Sequence, residues 1–307
     1  MSLVELMIAL LIGLLLSAAI ITVYMSNKTT FWETEAAASM QDNALFAKRL
    51  IKKDVTHARF SNGVGIGNIS DDDLTLPNGQ ECGPEGVIKI ANLPSIYAVA
   101  AVDAPACLAN VKSGTDVLFI KRVGTEAPSP FQSNKIYFKP DTLYSGQLFL
   151  GSDGLTAIND AITDADYADA QSGEGSLREF IYRVYYIADL AGRVFPQLRR
   201  MSLRVNSGNL EWFVESVADG IEDIHFQFGI DKNRDGQVDT YVTATDVENV
   251  ADWNEVNAVK MFMLIQSTRS DMGYTDEKTY NYRDTGATTV TGPYHRKLHQ
   301  TTFMIPN

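Results

Sequence analysis

The chain has 307 residues, 45% of them hydrophobic and 21% charged, which is enough apolar material for a sizeable core in one elaborate domain or two smaller ones. Its 38 acidic and 26 basic residues leave a formal net charge of -12, which argues against a general nucleic-acid surface because a phosphate backbone would be repelled. Only two cysteines are present, and their spacing resembles no metal or redox motif.

The chain opens on LVELMIALLIGLLLSAAII, residues 3–21, apolar apart from Glu5, Gly13 and Ser17, and it continues through Thr22, Val23, Tyr24 and Met25. About 20 such residues at ~1.5 Å each cross a bilayer core, so the segment reads as a membrane helix. A secretory signal would carry a basic start and a shorter apolar core, whereas no basic residue precedes Lys28; this reads as a chain whose leader has been removed. Glu5 is the anomaly. A carboxylate in a membrane helix is expensive and calls for a partner, and a terminal ammonium group from a neighbouring subunit would serve; the plainer alternative is that Glu5 lies near enough to the membrane surface to stay hydrated.

The helical pattern runs on without Pro or Gly to about Phe60. Phe31, Ala38, Leu45, Ala47, Leu50, Ile51, Val55 and Ala58 recur at spacings near three and four, which predicts an apolar stripe packed on a sheet, and Ser61, Asn62 and Gly63 signal its end. The organisation predicted is residues 1–25 as the membrane or filament-core half of a helix, 26–60 as its amphipathic half, and 61–307 as a β-rich domain.

MSLVELMIALLIGLLLSAA resembles the amino terminus of the type IV pilin superfamily, with Met1 in the first position and Glu5 at the family's glutamate position. The resemblance implies a leader cut by prepilin peptidase, N-methylation of the first residue, and a glutamate that neutralises the amino terminus of an adjacent subunit. The proline that many major pilins carry near residue 22 is missing, leaving Gly13 as the local weak point.

Further along, VIKIANL, SIYAVAAV, DVLFIKRV, KIYFKP and QLFLGS read as strands separated by the turns APSPF, KPDT and GSDG, and INDAITDADYADAQSGEGS reads as an exposed acidic loop. FIYRVYYIAD, GRVFPQLRRMSLRV, NLEWFVESV and IEDIHFQFGID predict a four-strand antiparallel meander, and AVKMFMLIQST, KTYNYR and KLHQTTFMI supply further strands. The fold class is therefore α+β, a long amino-terminal helix on an antiparallel sheet. Cys82 and Cys107 would form a disulfide outside a reducing compartment, with two buried thiols as the alternative.

DKNRDGQVD, residues 231–239, spaces Asp231, Asn233, Asp235, the Gln237 carbonyl and Asp239 like the front of a calcium loop, with Gly236 allowing the turn. Val242 stands where a bidentate Glu would be, so a remaining ligand would come from Glu222, Glu248 or Asp252; the alternative is a bare turn whose side chains cap their own backbone. His295 and His299 fall on a strand-like stretch and do not read as a zinc pair, and no nucleophile elbow or phosphate loop is visible, which speaks against an enzyme.

DVTHA at 54–58, VADGIEDIHFQFGID at 217–231, DWNEVNAVKMFMLIQSTR at 252–269 and the closing YHRKLHQTTFMIPN resemble the PilW-like minor pilin branch, with His57 and Pro306 departing from its usual arginines. The resemblance implies a subunit held in a bacterial inner membrane with its domain in the periplasm, then carried to a cell-surface pilus. Its partners would be membrane lipid, other pilins and the inner-membrane assembly platform, and its role to initiate or cap the filament. A major subunit of an unusual pilus, a secretion-system pseudopilin and a filament-borne adhesin using Trp32, Trp212 or Trp253 remain the alternatives.

Overall fold

A computed structural model describes residues 2–59, 69–70, 74, 82, 94–126, 130–140, 146–154, 156, 177–233, 235–247, 252–283 and 286–306. One helix, α1, spans Leu3–Thr56. At ~1.5 Å per residue it is about 80 Å long. Its start is fixed by a capping box: Ser2 Oγ accepts from Val4 N at 3.3 Å and the Glu5 carboxylate accepts from Ser2 N at 2.8 Å. Three hydroxyls in and just beyond its apolar stretch donate to the helix's own carbonyls, Ser17 to Gly13 at 2.8 Å, Thr22 to Ala18 at 2.9 Å and Thr29 to Met25 at 3.1 Å, so these donors do not require water.

The strands are β1 (Ile69–Ser70), β2 (Ile96–Ala100), β3 (Asp116–Val123), β4 (Ile136–Pro140), β5 (Gly146–Leu150), β6 (Arg178–Ala188), β7 (Gln197–Asn206), β8 (Asn209–Asp219), β9 (Ile221–Ile230), β10 (Thr240–Thr243), β11 (Val256–Gln266), β12 (Thr279–Arg283), β13 (Gly286–Thr289) and β14 (Arg296–Met304). The architecture is α+β and, apart from the parallel β1–β5 pair, antiparallel. The larger sheet runs β1-β5-β4-β6-β3-β2, and β7 with β8 joins it through β6. A second sheet has the order β10-β9-β11-β14, and β12 with β13 forms a small hairpin.

The predicted four-strand meander is only three strands long. β6, β7 and β8 pair in succession, but β9 leaves for the second sheet and pairs with β10 and β11. The change of sheet occurs at Gly220, whose φ of +75° suits glycine and whose added Cβ would stand 2.5 Å from Gln266 O. Alternation along IEDIHFQFGI predicts a strand but carries no information on which sheet receives it.

The predicted helix stripe is also displaced. Met40, Ala44, Ala47, Ile51, Val55 and Ala58 are the buried apolar positions, whereas Phe31, Ala38 and Leu45 are exposed and Leu50 is half-buried. The buried set has strict three-and-four spacing and merges into one core with Phe119, Val184, Tyr185, Phe226 and Met261 from both sheets. The helix ends at Thr56, before the predicted turn at residues 61–63, which lies outside the described residues together with the strand VIKIANL and the acidic loop 158–176.

Candidate functional site

The amino-terminal half of α1 is uncovered on every side. Each described residue from Ser2 to Met25 is exposed, including Leu3, Leu6, Leu10, Leu14, Ile20 and Val23, so no stripe of this segment packs on the head. The stretch Leu3–Met25 is about 34 Å long, close to the ~30 Å of a hydrocarbon core. A helix apolar on all sides cannot rest uncovered in water and demands lipid or other helices around it. Met1 lies outside the described residues. Glu5 sits in the first turn with its carboxylate exposed; it accepts from Ser2 N and keeps lone pairs for a second donor. Alone, it caps its own helix. A cation brought by another chain could reach the same carboxylate.

The other half of α1 is welded to the head by a carboxylate that the sequence analysis met only as the first residue of DVTHA, with no role assigned to it. Asp54 is fully buried and receives Arg183 Nη1 at 2.9 Å, Arg122 Nε at 3.1 Å, Arg122 Nη2 at 3.0 Å and Tyr185 Oη at 2.6 Å. Burial alone would raise its pKa, but the two guanidiniums and the tyrosine hydroxyl outweigh it and hold the carboxyl below its ordinary value. The tyrosine moves the other way, its pKa raised first by burial and then by the adjacent carboxylate. One signal was present in the sequence: an acidic residue in the last turn opposes the helix dipole and therefore needs compensation from elsewhere. Its partners, on β3 and β6, could not be located from spacing.

Cys82 and Cys107 are joined in a disulfide, with Cα atoms 5.7 Å apart and a sequence separation of 25. Tyr182 Oη donates to the Cys82 carbonyl, so the bridge is fastened to β6.

The described residues of 231–239, all but 234, lie between β9 and β10, with Gly236 at φ +87°. Their side chains are occupied with their own backbone. Asp231 accepts from Asp235 N at 3.2 Å and Gly236 N at 2.9 Å, Asn233 Oδ1 accepts from Asp235 N at 3.0 Å, Asp235 accepts from Gln237 N at 2.8 Å, and Asp239 accepts from Lys232 N at 2.9 Å. Asn257 Nδ2 also donates to Asp231, and Asn257 Oδ1 accepts from Arg59 Nη1 at 2.8 Å, so a guanidinium lies near the buried carboxylate. Of the three carboxylates that might complete a ligand set, Glu222 is held by Arg296 Nε at 2.6 Å, Asp252 caps Asn254 N at 3.0 Å, and Glu248 lies outside the described residues. Among the described residues no three His, Cys, Asp or Glu side chains converge as a metal site. His295 and His299 have separate neighbours: His295 meets Asp271 at 3.2 Å, while burial, then Lys297 and Lys48, depress the pKa of His299.

A long apolar helix bare over its first half and locked by a buried ion cluster over its second defines a tethered head, a construction compatible with membrane association. The family of Type IV Pilus-assembly protein W matches residues 184–307, from within β6 through β14, a similarity over less than half of the chain that supports a type IV pilus-related assembly or structural role. No curated protein matches the chain.

Proposed function

We propose that this chain is a membrane-tethered subunit of a type IV pilus, of the pilin kind, acting as a minor pilin that initiates or caps the filament. The observation that carries the proposal is the division of α1 into an uncovered apolar half and a half built into the head. In this reading the subunit waits in the inner membrane with its head in the periplasm, matured by prepilin peptidase and delivered by the assembly platform. Assembly then exchanges lipid for like helices around residues 3–25. Glu5 sets the register by pairing with the terminal ammonium group of a neighbouring subunit, in place of the Ser2 amide it serves alone. The chemistry is non-covalent polymerisation, with no catalytic step.

Replacing Glu5 by Ala is expected to leave the melting of the head unchanged and to lower the amount of subunit recovered in sheared filaments; full recovery would sink the pairing. Quantitative mass spectrometry of purified filaments tests the position. A few copies per filament support the tip, a dominant subunit makes the chain the structural pilin, and absence points to a secretion pseudopilin.

A calcium ion held by Asp231, Asn233, Asp235, the Gln237 carbonyl and Asp239 is a separate proposal, supported by their alternate spacing about Gly236. Asp231→Ala would also remove two backbone caps, so the informative quantity is the difference in melting with calcium and with chelator. A shift in the native chain that the variant lacks is expected; equal melting of the native chain under both conditions retires the ion.

A further inference from the structure

The loop between β11 and β12 is fastened at several points. Ser267 Oγ donates to Arg269 O at 2.8 Å, Asp271 N donates to Pro293 O at 2.7 Å, and Asp271 Oδ1 accepts from Gly273 N at 3.0 Å. The other Asp271 oxygen meets His295, whose ring stacks on Tyr274 at 4.0 Å between centroids. The result is a tip that presents Met272 outward, 93% exposed, the most exposed of the large apolar side chains described. A bare apolar side chain on a mobile loop could fold back over the surface; here the bonds on either side of it oppose that movement.

This loop meets α1 at Thr29, Trp32, Glu33 and Ala36, ahead of the buried face that begins at Met40, and together they line a groove of about 210 Å³. Arg269 lies over the Trp32 ring at 3.8 Å, a stacking that leaves guanidinium edges free to donate. Phe31, also exposed, meets Trp32 edge-on at 5.6 Å. Trp32 is about 10 Å along the helix from Met25, where the apolar segment ends. The polar layer of one leaflet is ~5–8 Å deep, so these side chains stand just beyond it, and a helix tilt of about 20° toward this face lowers them into it. Exposed aromatics, an arginine and an unpaired methionine at that height match the chemistry of a membrane interface.

We propose that the tip at 269–272 is a second membrane contact of the head, with Arg269 donating to lipid phosphate and Met272 entering the interfacial layer beside Trp32 and Phe31. The inference rests on the membrane-tethered reading of residues 3–25. Glu33 and Asp271 line the same groove and offset Arg269, so the contact is with the interfacial layer in general and does not select anionic lipid.

The test uses the unaltered full chain in phosphatidylcholine vesicles, and again in vesicles of phosphatidylethanolamine with phosphatidylglycerol, at one chain per vesicle. Peroxide oxidation of each methionine to its sulfoxide is followed by mass spectrometry. By exposure in the protein alone, Met272 at 93% should oxidise faster than Met304 at 51%. The lipid contact reverses that order, slowing Met272 several-fold below Met304 in both lipid mixtures. Met7 reports the membrane span separately. If Met7 is protected and Met272 still outpaces Met304, the loop inference falls and the tether stands. If Met7 is also open, the tether falls and takes the loop with it. Protection of Met272 that appears only at several chains per vesicle assigns the face to a second copy and overturns the lipid contact.

Discussion

The two halves of α1 share one backbone geometry and differ in almost everything else. Over residues 3–25 the side chains are apolar on all sides and uncovered, and the order of the helix comes from its own hydrogen bonds, a capping box and inward-turned hydroxyls. Over residues 40–58 one narrow face of small and medium residues is buried, and the order comes from packing and from an ion cluster. A helix assignment therefore says little about what a segment does. The first half is made to be covered by something outside the chain, the second to be covered from within it.

Breaking the inner half should have the largest effect. Asp54→Ala leaves Arg122 and Arg183 facing each other without a carboxylate, and a loss of about 3–5 kcal/mol is expected in chemical unfolding of the head. Ile51→Ala, at a fully buried site, should cost about 2–5 kcal/mol. The sharpest contrast comes from Leu14→Ala, the same kind of truncation in the bare half. Head stability should move by no more than about 0.5 kcal/mol, and a loss like that of Ile51→Ala would erase the distinction between the halves.

Acid sharpens the comparison further, because two groups on or beside the inner half have depressed pKa values. The Asp54 contribution is present above its unfolded value of 3.8 and is lost as pH falls through the lower folded value. His299, facing Lys48, costs nothing while both states are neutral, but as pH drops below 6.5 the unfolded chain takes up a proton that the folded chain resists. Stability should thus decline in two steps on acidification, and His299→Gln should remove the upper one, as read from urea midpoints across the range.

Much of the fold was legible because it follows from periodicity. The unbroken run from Leu3 and the strand patterns FIYRVYYIAD, GRVFPQLRRMSLRV and NLEWFVESV give α1, β6 and the β7–β8 pair directly. What escaped depended on partners far along the chain. Phe31 and Leu45 look like core residues by hydrophobicity, yet the face that meets the sheets is set by Met40, Ala44 and Ala47, where the two alanines leave room for close packing. Asp54 reads as an ordinary polar position until Arg122 and Arg183 arrive from 68 and 129 residues away. The calcium-like spacing at 231–239 was visible, but the Arg59–Asn257–Asp231 chain behind it was not, since it joins three distant segments.

Because the clamp at Asp54 and the exposed apolar segment belong to one uninterrupted helix, the helix also works as a rotary index. One residue added between Met25 and Met40 would advance the head by ~1.5 Å and swing it by about 100° around the axis, whereas seven would return it almost to its starting azimuth. The compass bearing of the head relative to whatever surrounds residues 3–25 is thus written in the number of residues between them.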